Sequence, residues 1–215
     1  MLVKNRMTCN PVTISPGASY SEAFDLIRES EFRHLPVVDK KGKLVGIVAE
    51  TDLLHASPSS ATTLSIYELN YLLANLLVEE VMSSPAITVA DDAPIEQAAR
   101  IMIDEKVGCL PVMRGDELVG VITETDIFKA FVEVLGGDEV SLRVTLRVPD
   151  VRGELSRLAG AIAELGGNIC SVASFRGEEP GHVYITFRLE GVDEETLIPT
   201  LKAGGEEVVH YFCTT

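Results

Sequence analysis

The 215-residue chain carries 18 Lys and Arg against 33 Asp and Glu, a formal net charge of −15. This balance argues against a nucleic-acid-binding surface, because such surfaces need clustered basic side chains to neutralise phosphates. The apolar runs are too short to span a membrane, and the first residues, MLVKNRMTCNP, lack the apolar stretch of a signal peptide. With four widely separated cysteines and no CxxC pair, we predict a cytoplasmic protein with neither nucleic-acid nor membrane partners.

Two near-copies of one pattern fill the first 136 residues. The stretch GIVAETD ends at Asp52 and GVITETD ends at Asp126, while HLPV begins at His34 and CLPV at Cys109. Each copy predicts a strand, a helix, two strands that form a hairpin, and a final helix. A unit of about 60 residues buries little core by itself. We therefore expect the two copies to pack face to face.

The elements of the two copies can be predicted in chain order. The first strands are PVTIS and PAITV. The first helix of copy one carries apolar Ala23, Phe24, Ile27 and Phe32, with Ser19 or Ser21 as its cap. The matching helix of copy two carries Ala98, Ile101, Met102 and Val107, with Asp91 or Asp92 as its cap.

Between the copies, Ala56–Ala61 is predicted to be a Ser/Pro linker, and Leu64–Leu77 a strongly apolar helix. Such a helix needs an apolar partner, either the other copy or another subunit.

The order of elements, the LPVV strand and the G-h-h-x-E-T-D ending, where h is apolar, resemble cystathionine-β-synthase (CBS) domains. Here they form a tandem pair over roughly residues 1–136. The family binds adenosine nucleotides in the cleft between paired domains. The resemblance therefore implies a regulatory ligand such as AMP, ADP, ATP, NAD(H) or S-adenosylmethionine, with no cofactor required.

The resemblance also implies which residues bind the nucleotide. They are Thr13, Ile14, His34, Leu35, Pro36, Asp52, Thr88, Val89, Cys109, Leu110, Pro111, Thr123 and Asp126.

Each aspartate of the repeated stretch stands where a strand meets a helix. Its carboxylate can accept hydrogen bonds from a ribose diol, and the free N–H groups of the helix start suit a phosphate. The alternative is an ordinary helix cap, provided by the aspartates themselves or by Thr51 and Thr125. Thr123 completes the family's [ST]-x-x-D pattern in copy two. Copy one has Ala49 there, so its half-site lacks a hydroxyl that could meet phosphate.

His34, next to Arg33, has two interpretations. The imidazole can reach a phosphate, or it can simply lie at a strand edge.

The last third of the chain changes pattern. Val140–Val148 alternates apolar and polar residues as a half-buried strand does. A helix, Leu155–Leu165, a hairpin, a second helix and a short strand follow. This βαββαβ order is ferredoxin-like. In detail, PDVRGEL and GGNI resemble an ACT domain over about residues 140–213. ACT domains often bind amino acids at a paired interface.

The ACT resemblance implies an effector site near Val151, Gly153, Leu155, Asn168 and Ile169. The alternative is that Gly153 permits a tight turn and that Gly166 and Gly167 cap a helix, since many ACT domains only dimerise.

The predicted organisation is CBS 1 at 1–57, a linker with an apolar helix at 58–76, CBS 2 at 77–136 and an ACT domain at 137–215. The fold class is mixed α+β and α/β, with two β-α-β-β-α units packed as a pseudo-two-fold pair and one ferredoxin-like domain. This architecture resembles acetoin-utilisation-type regulatory proteins.

Three functions remain open from the sequence. The leading hypothesis is a homodimeric ligand sensor that regulates an unknown protein, with an amino acid as a second candidate ligand. The second is a ligand-free assembly scaffold, and the third is a small enzyme that uses Asp52 and Asp126 as paired carboxylates. No Ser-His-Asp, GxSxG, HExxH or P-loop pattern occurs, and the histidines lack metal-ligand spacing. We therefore predict neither catalytic residues nor a metal site.

Overall fold

The computed structural model describes residues 1–30, 32–57, 65–137 and 140–213. The chain divides into two compact units, Met1–Phe128 and Lys129–Thr215. Residues 58–64, which include most of the predicted Ser/Pro linker, lie outside the described residues, as do residues 138 and 139. In the described part of the chain, no helix is both long and apolar enough to cross a membrane.

Copy one follows the predicted order except at its first strand. Its elements are a 3-10 turn Val3–Asn5, β1 Thr8–Cys9, α1 Tyr20–Glu29, β2 His34–Val38, β3 Leu44–Ala49 and α2 Glu50–Ala56. The predicted strand PVTIS is reduced to one bridge, in which Ile14 pairs in parallel with Val37. Ser19 caps α1 as predicted, by accepting a hydrogen bond from the Glu22 N–H at 3.2 Å. Phe32, predicted on the apolar face of α1, lies beyond the helix and is 40% exposed.

Between the copies and through copy two, the elements are α3 Ile66–Asn75, α4 Val78–Val81, β4 Val89–Ala90, α5 Ile95–Glu105, β5 Cys109–Arg114, β6 Glu117–Thr123 and α6 Glu124–Val134. The prediction that Asp91 or Asp92 caps α5 was wrong. The N-cap is Pro94, without a side-chain bond. Asp91 instead accepts two hydrogen bonds from the guanidinium of Arg114, the last residue of β5, at 2.9 and 2.7 Å.

The sheet of copy two contains a strand from copy one. Its order is β1-β6-β5-β4, with Thr8 opposite Val121 in an antiparallel pair. Copy one mirrors this arrangement around its β2-β3 hairpin, because Ser83, which follows α4, bridges to Ile47. Each copy therefore extends its sheet with the first segment of the other.

Backbone hydrogen bonds fix this exchange on both sides. The Val3 N–H donates to the Ala93 carbonyl at 2.9 Å, before α5. The equivalent Val78 N–H donates to the Ala18 carbonyl at 2.9 Å, before α1. Val3 and Val78 are both fully buried. The start of each copy is thus part of the other copy's core.

The glycine of each repeated stretch makes this exchange sterically possible. A Cβ on Gly46 would lie 2.6 Å from the Met82 Sδ and 2.9 Å from the Ser83 carbonyl oxygen. A Cβ on Gly120 would lie 2.7 Å from the Met7 Sδ and 2.8 Å from the Thr8 carbonyl oxygen. Only glycine lets the incoming segment approach so closely.

The second unit has the predicted ferredoxin-like order. Its elements after α6 are β7 Leu142–Pro149, α7 Glu154–Glu164, β8 Asn168–Arg176, β9 His182–Glu190, α8 Glu194–Ala203 and β10 Glu207–Cys213. The antiparallel sheet has the order β10-β7-β9-β8. Leu146, Phe187, Leu158 and Leu197 are fully buried in one core that joins the sheet to α7 and α8. The predicted fold class is confirmed.

We expect Gly46→Ala and Gly120→Ala each to lower the free energy of unfolding by about 1–3 kcal/mol, the usual cost of overpacking. Urea denaturation measures this change. Gly17→Ala is the matched control in the same unit, because a Cβ there meets nothing within 4 Å. A loss of stability as large in Gly17→Ala as in Gly120→Ala would contradict the steric explanation.

Candidate functional site

Asp52 occupies the third position of α2 and stabilises the helix start. Its Oδ2 accepts the Ala49 N–H at 2.8 Å. Ala49 is the N-cap residue and offers no side-chain oxygen in return. The cap alternatives considered for this helix, Thr51 and Asp52 itself, were therefore wrong, since both follow the cap within the first turn. The carboxylate at the third position reaches back to the cap residue, which is half of a capping box.

Copy two completes the same motif. Asp126 Oδ2 accepts the Thr123 N–H at 2.9 Å and the Thr123 hydroxyl at 2.7 Å. The Thr123 Oγ1 also lies 3.4 Å from the Asp126 N–H, which donates to it. Thr123, rather than Thr125, is thus the capping residue of α6. Helix capping therefore accounts for the sequence pattern T-x-x-D without a ligand.

The two carboxylates retain unused acceptor capacity. Within the described residues, the hydrogen bonds to Asp52 and Asp126 all go to Oδ2. A carboxylate can accept about four hydrogen bonds, so each Oδ1 can accept from a ligand hydroxyl while Oδ2 holds the helix. Both side chains are partly exposed. The structural role and a diol-binding role are therefore compatible.

The hairpin register brings the other predicted residues next to these carboxylates. His34 lies opposite Ala49 in copy one, and Cys109 lies opposite Thr123 in copy two. The Ile14 N–H donates to the Pro36 carbonyl at 3.0 Å, and Val89 pairs with Val112 on β5. Within each copy, the structure collects the predicted site residues at one end of the hairpin and along its edge.

Burial limits what several of these residues can offer. Leu35 and Leu110 are fully buried, and Ile14 and Val89 are each 4% exposed. The side chains of this group pack in the cores, so a ligand can use only their backbone groups. Pro36 and Pro111 are buried as well, whereas Thr13 and Thr88 are exposed.

His34 is influenced by charged groups from the helix starts of both copies. Burial lowers the pKa of this imidazole below its ordinary 6.5, and the neighbouring Arg33 lowers it further, while Asp52, Glu124 and Glu50 partly counteract them. Glu124 belongs to copy two, and its Oε2 lies 3.6 Å from where a Cβ on Gly108 would sit. Sequence reasoning missed Glu124, although the shared ETD of both stretches was its signal.

Cys109, the counterpart of His34 in copy two, is a different kind of group. Burial, together with the Asp126 carboxylate, raises the pKa of its thiol to about 12. The thiol therefore stays neutral and is a poor nucleophile at neutral pH.

The ACT effector residues do not meet within one chain. Gly153, with φ 88°, precedes α7, and Leu155 lies in its first turn. Asn168 follows the other end of α7 and begins β8, about 16 Å away along an 11-residue helix. Val151 and Leu155 are 60% and 47% exposed. The described residues do not bring the two groups together, and the effector site stays a prediction.

Among the described residues, no group of three His, Cys, Asp or Glu side chains could hold a metal ion.

Comparison with protein families identifies both units. A CBS-domain model matches residues 3–59 and 78–133, which is more than half of the chain. A TTHA0829-like ACT-domain model matches residues 140–211.

Three solved structures illustrate the likeness of the CBS pair. A putative acetoin utilization protein (AcuB) from Vibrio cholerae is 33% identical, with a TM-score of 0.53, over 64% of this chain and 95% of that chain. CBSX2 of Arabidopsis thaliana in complex with AMP is 28% identical, with a TM-score of 0.52, over 62% and 97%. The CBS pair of MJ0100 in complex with 5-methylthioadenosine and S-adenosyl-L-methionine is 29% identical, with a TM-score of 0.52, over 65% and 98%.

The first curated relatives are longer proteins. They include an L-aspartate semialdehyde sulfurtransferase of Methanocaldococcus jannaschii, 30% identical over 60% of this chain and 23% of that protein. The matches span between about a quarter and a half of these relatives' lengths.

We expect Thr123→Ala to lower the free energy of unfolding by about 0.5–2 kcal/mol, because α6 loses its cap hydroxyl. Ala49→Ser should raise it by a similar amount, since it completes the capping box of α2. Thr123→Ser keeps the hydroxyl and is the matched control. Equal stability of Thr123→Ala and wild type in urea denaturation would contradict this role.

We also expect His34 to make stability depend on pH. The unfolded chain protonates His34 near 6.5 and the folded protein only at lower pH, so the unfolded state binds more protons in this window. The contribution of His34 to the free energy of unfolding is therefore greatest above pH 6.5. It falls as the pH is lowered through the pKa of His34 in the folded protein. Denaturation of wild type, His34→Asn and the control His55→Asn between pH 7.5 and 5.5 should give a flatter profile for His34→Asn alone.

Proposed function

Since the chain belongs to the CBS-domain family, we propose that it is a regulatory protein whose paired CBS domains bind an adenosine nucleotide. The ligand is AMP, ADP, ATP, NAD(H) or an S-adenosylmethionine-type compound. Asp126 holds the ribose diol in copy two and Asp52 holds it in copy one. The backbone around Pro36 and Pro111 lines the purine. No cofactor takes part.

The observation that carries this proposal is the matched pair of carboxylates, each with Oδ1 unused by the described residues. Both stand at the first turn of a helix, α2 and α6, where the backbone carries partial positive charge. Similar CBS pairs have been solved with AMP and with S-adenosylmethionine, which supports the ligand class. Both family models, CBS and ACT, describe regulatory modules.

For the ACT domain we propose pairing between two copies of the chain, which gives a homodimer in the cytoplasm. The separation of Gly153 and Asn168 along α7 favours this proposal. A second effector of amino-acid type would then bind where the start of one α7 meets the end of the other. The regulated protein is a partner of this dimer.

A ligand-free scaffold is the second candidate function, and the capping box favours it. Thr123 and Asp126 satisfy each other without a ligand, so their sequence pattern can be retained for folding alone. An enzyme that uses Asp52 and Asp126 as paired carboxylates finds less support, since each already stabilises a helix start.

Calorimetry with AMP, ATP, NADH and S-adenosylmethionine separates these functions. We expect one of them to bind, and Asp126→Ala to weaken binding by about 1.5–3 kcal/mol, the worth of a hydrogen bond to a charged group. Asp116→Ala, an exposed aspartate in the turn before β6, is the matched control and should bind as wild type does. If a folded sample binds none of these compounds, the scaffold function is supported instead. If the protein turns over a nucleotide and Asp126→Ala abolishes that turnover, the enzyme function is supported.

A further inference from the structure

α6 begins in one compact unit of the chain and ends in the other. It runs from Glu124 to Val134, whereas the first unit ends at Phe128. Its first turn carries Asp126, the carboxylate proposed for the ribose in copy two, which is bonded to the cap residue Thr123. Its last turn belongs to the second unit. One continuous helix therefore leads from the candidate nucleotide site into the second unit.

Two glycines close the C-terminal end of α6. Gly136 has a φ of 64°, in the left-handed region that glycine adopts without strain. Its N–H donates to the Glu133 carbonyl at 2.9 Å, and the Gly137 N–H donates to the Val132 carbonyl at 2.7 Å. These two bonds form the Schellman motif, which ends a helix at a defined residue. α6 therefore has a defined end as well as a capped start.

The end of α6 lies against the first residues of β8 in the ACT sheet. The Ser171 hydroxyl donates to the Val134 carbonyl at 3.1 Å, one of the carbonyls that a helix end leaves without an intrahelical partner. A Cβ on Gly136 would lie 3.6 Å from the Ser171 Cβ and 3.0 Å from the Arg188 Cδ. The pairing of β8 with β9 is irregular between Ile169 and Ser171, and such bulges re-aim side chains. The Ser171 hydroxyl thus joins the last turn of α6 to β8.

The corresponding helix of copy one leads elsewhere. α2 ends at Ala56 and is followed along the chain by copy two, whereas copy two is followed by the ACT domain. The two half-sites therefore differ in what their helices connect to, although each helix carries an equivalent aspartate in its first turn.

We propose that α6 couples the second half-site to the ACT domain, so that a nucleotide bound at Asp126 stabilises β8 through the hydrogen bond between Ser171 and Val134. This inference rests on the proposed function and names the regulation that the second half-site performs. Asn168 and Ile169, from the predicted effector site, are the first residues of the same strand. A nucleotide in copy two therefore orders the strand on which that effector site is predicted.

The physical basis of the coupling is the cooperativity of helix formation. A ribose bonded to Oδ1 of Asp126 adds an interaction to the first turn of α6, while Oδ2 keeps its bonds to Thr123. Because the turns of a helix form cooperatively, a more stable start also keeps the last turn, with its Val134 carbonyl, in place. Ser171 then loses its acceptor less often, and local opening of β8 becomes rarer. The nucleotide shifts this opening by its higher affinity for the closed state.

The test measures amide hydrogen exchange of the full chain with and without AMP, and in a second arm with S-adenosylmethionine. Saturation with a compound that binds should slow exchange in β8 by about fivefold or more, the lower end of typical coupling between sites. Ser171→Ala should still bind that compound but lose the slowing, because it cannot donate to the Val134 carbonyl. Ser171→Thr keeps the hydroxyl and should retain the slowing. Ser174→Ala, at an exposed position of the same strand, is the matched control and should respond as wild type does.

A second comparison separates the two half-sites. Asp126→Ala should abolish the slowing of exchange in β8, whereas Asp52→Ala should keep it. Slowing that survives Asp126→Ala or disappears in Asp52→Ala would overturn this inference. Binding to wild type without a change of exchange in β8, or equal slowing in wild type and Ser171→Ala, would overturn it while the proposed function stands. If neither compound binds the folded wild type, the proposed function fails and this inference fails with it.

Discussion

The reciprocal exchange of first segments is the constraint on which the CBS pair depends. Val3 is buried in the second copy and Val78 in the first, and each segment crosses a glycine that has no room for a Cβ. Close steric contact, backbone hydrogen bonds and burial therefore all hold the first segment of each copy against the other copy.

Much of the fold could be predicted because the repeat presents each local signal twice. The hairpins and the helices follow from spacing and apolar period, whereas the CBS pair and the ACT domain follow from a resemblance to those families, and all of them are confirmed. The predicted first strand of copy one was wrong, because PVTIS pairs through a single bridge at Ile14 rather than through a run of residues. The cap of α5 failed as well, because Asp91 had a competing partner in Arg114, 23 residues further along the chain.

For the candidate site, the sequence offers residues but not the hydrogen bonds that they make, and the site itself stays a prediction. The sequence offers Asp126 as a candidate and names Asp126 itself or Thr125 as the helix cap, whereas the structure shows Thr123 as the cap residue that bonds to Asp126. A helix start needs the same carboxylate that a ribose needs, so one residue can satisfy folding and binding together. The carboxylate of Glu124 in copy two acts on the pKa of His34 in copy one, and no local pattern encodes a relation between residues so far apart in the chain.

The exchange also bears on how such a chain can arise. In a single ancestral copy, the strand surface beside the glycine could have been covered only by the first segment of an identical partner. Its stable form would then have been a homodimer. Joining the two in one polypeptide replaces bimolecular association with an effective concentration in the millimolar range. It also removes the symmetry that forces both halves to change together. The two copies have indeed come to differ at equivalent positions, with Ala49 matched by Thr123 and His34 by Cys109. One chain can hold two unlike halves, whereas a homodimer cannot.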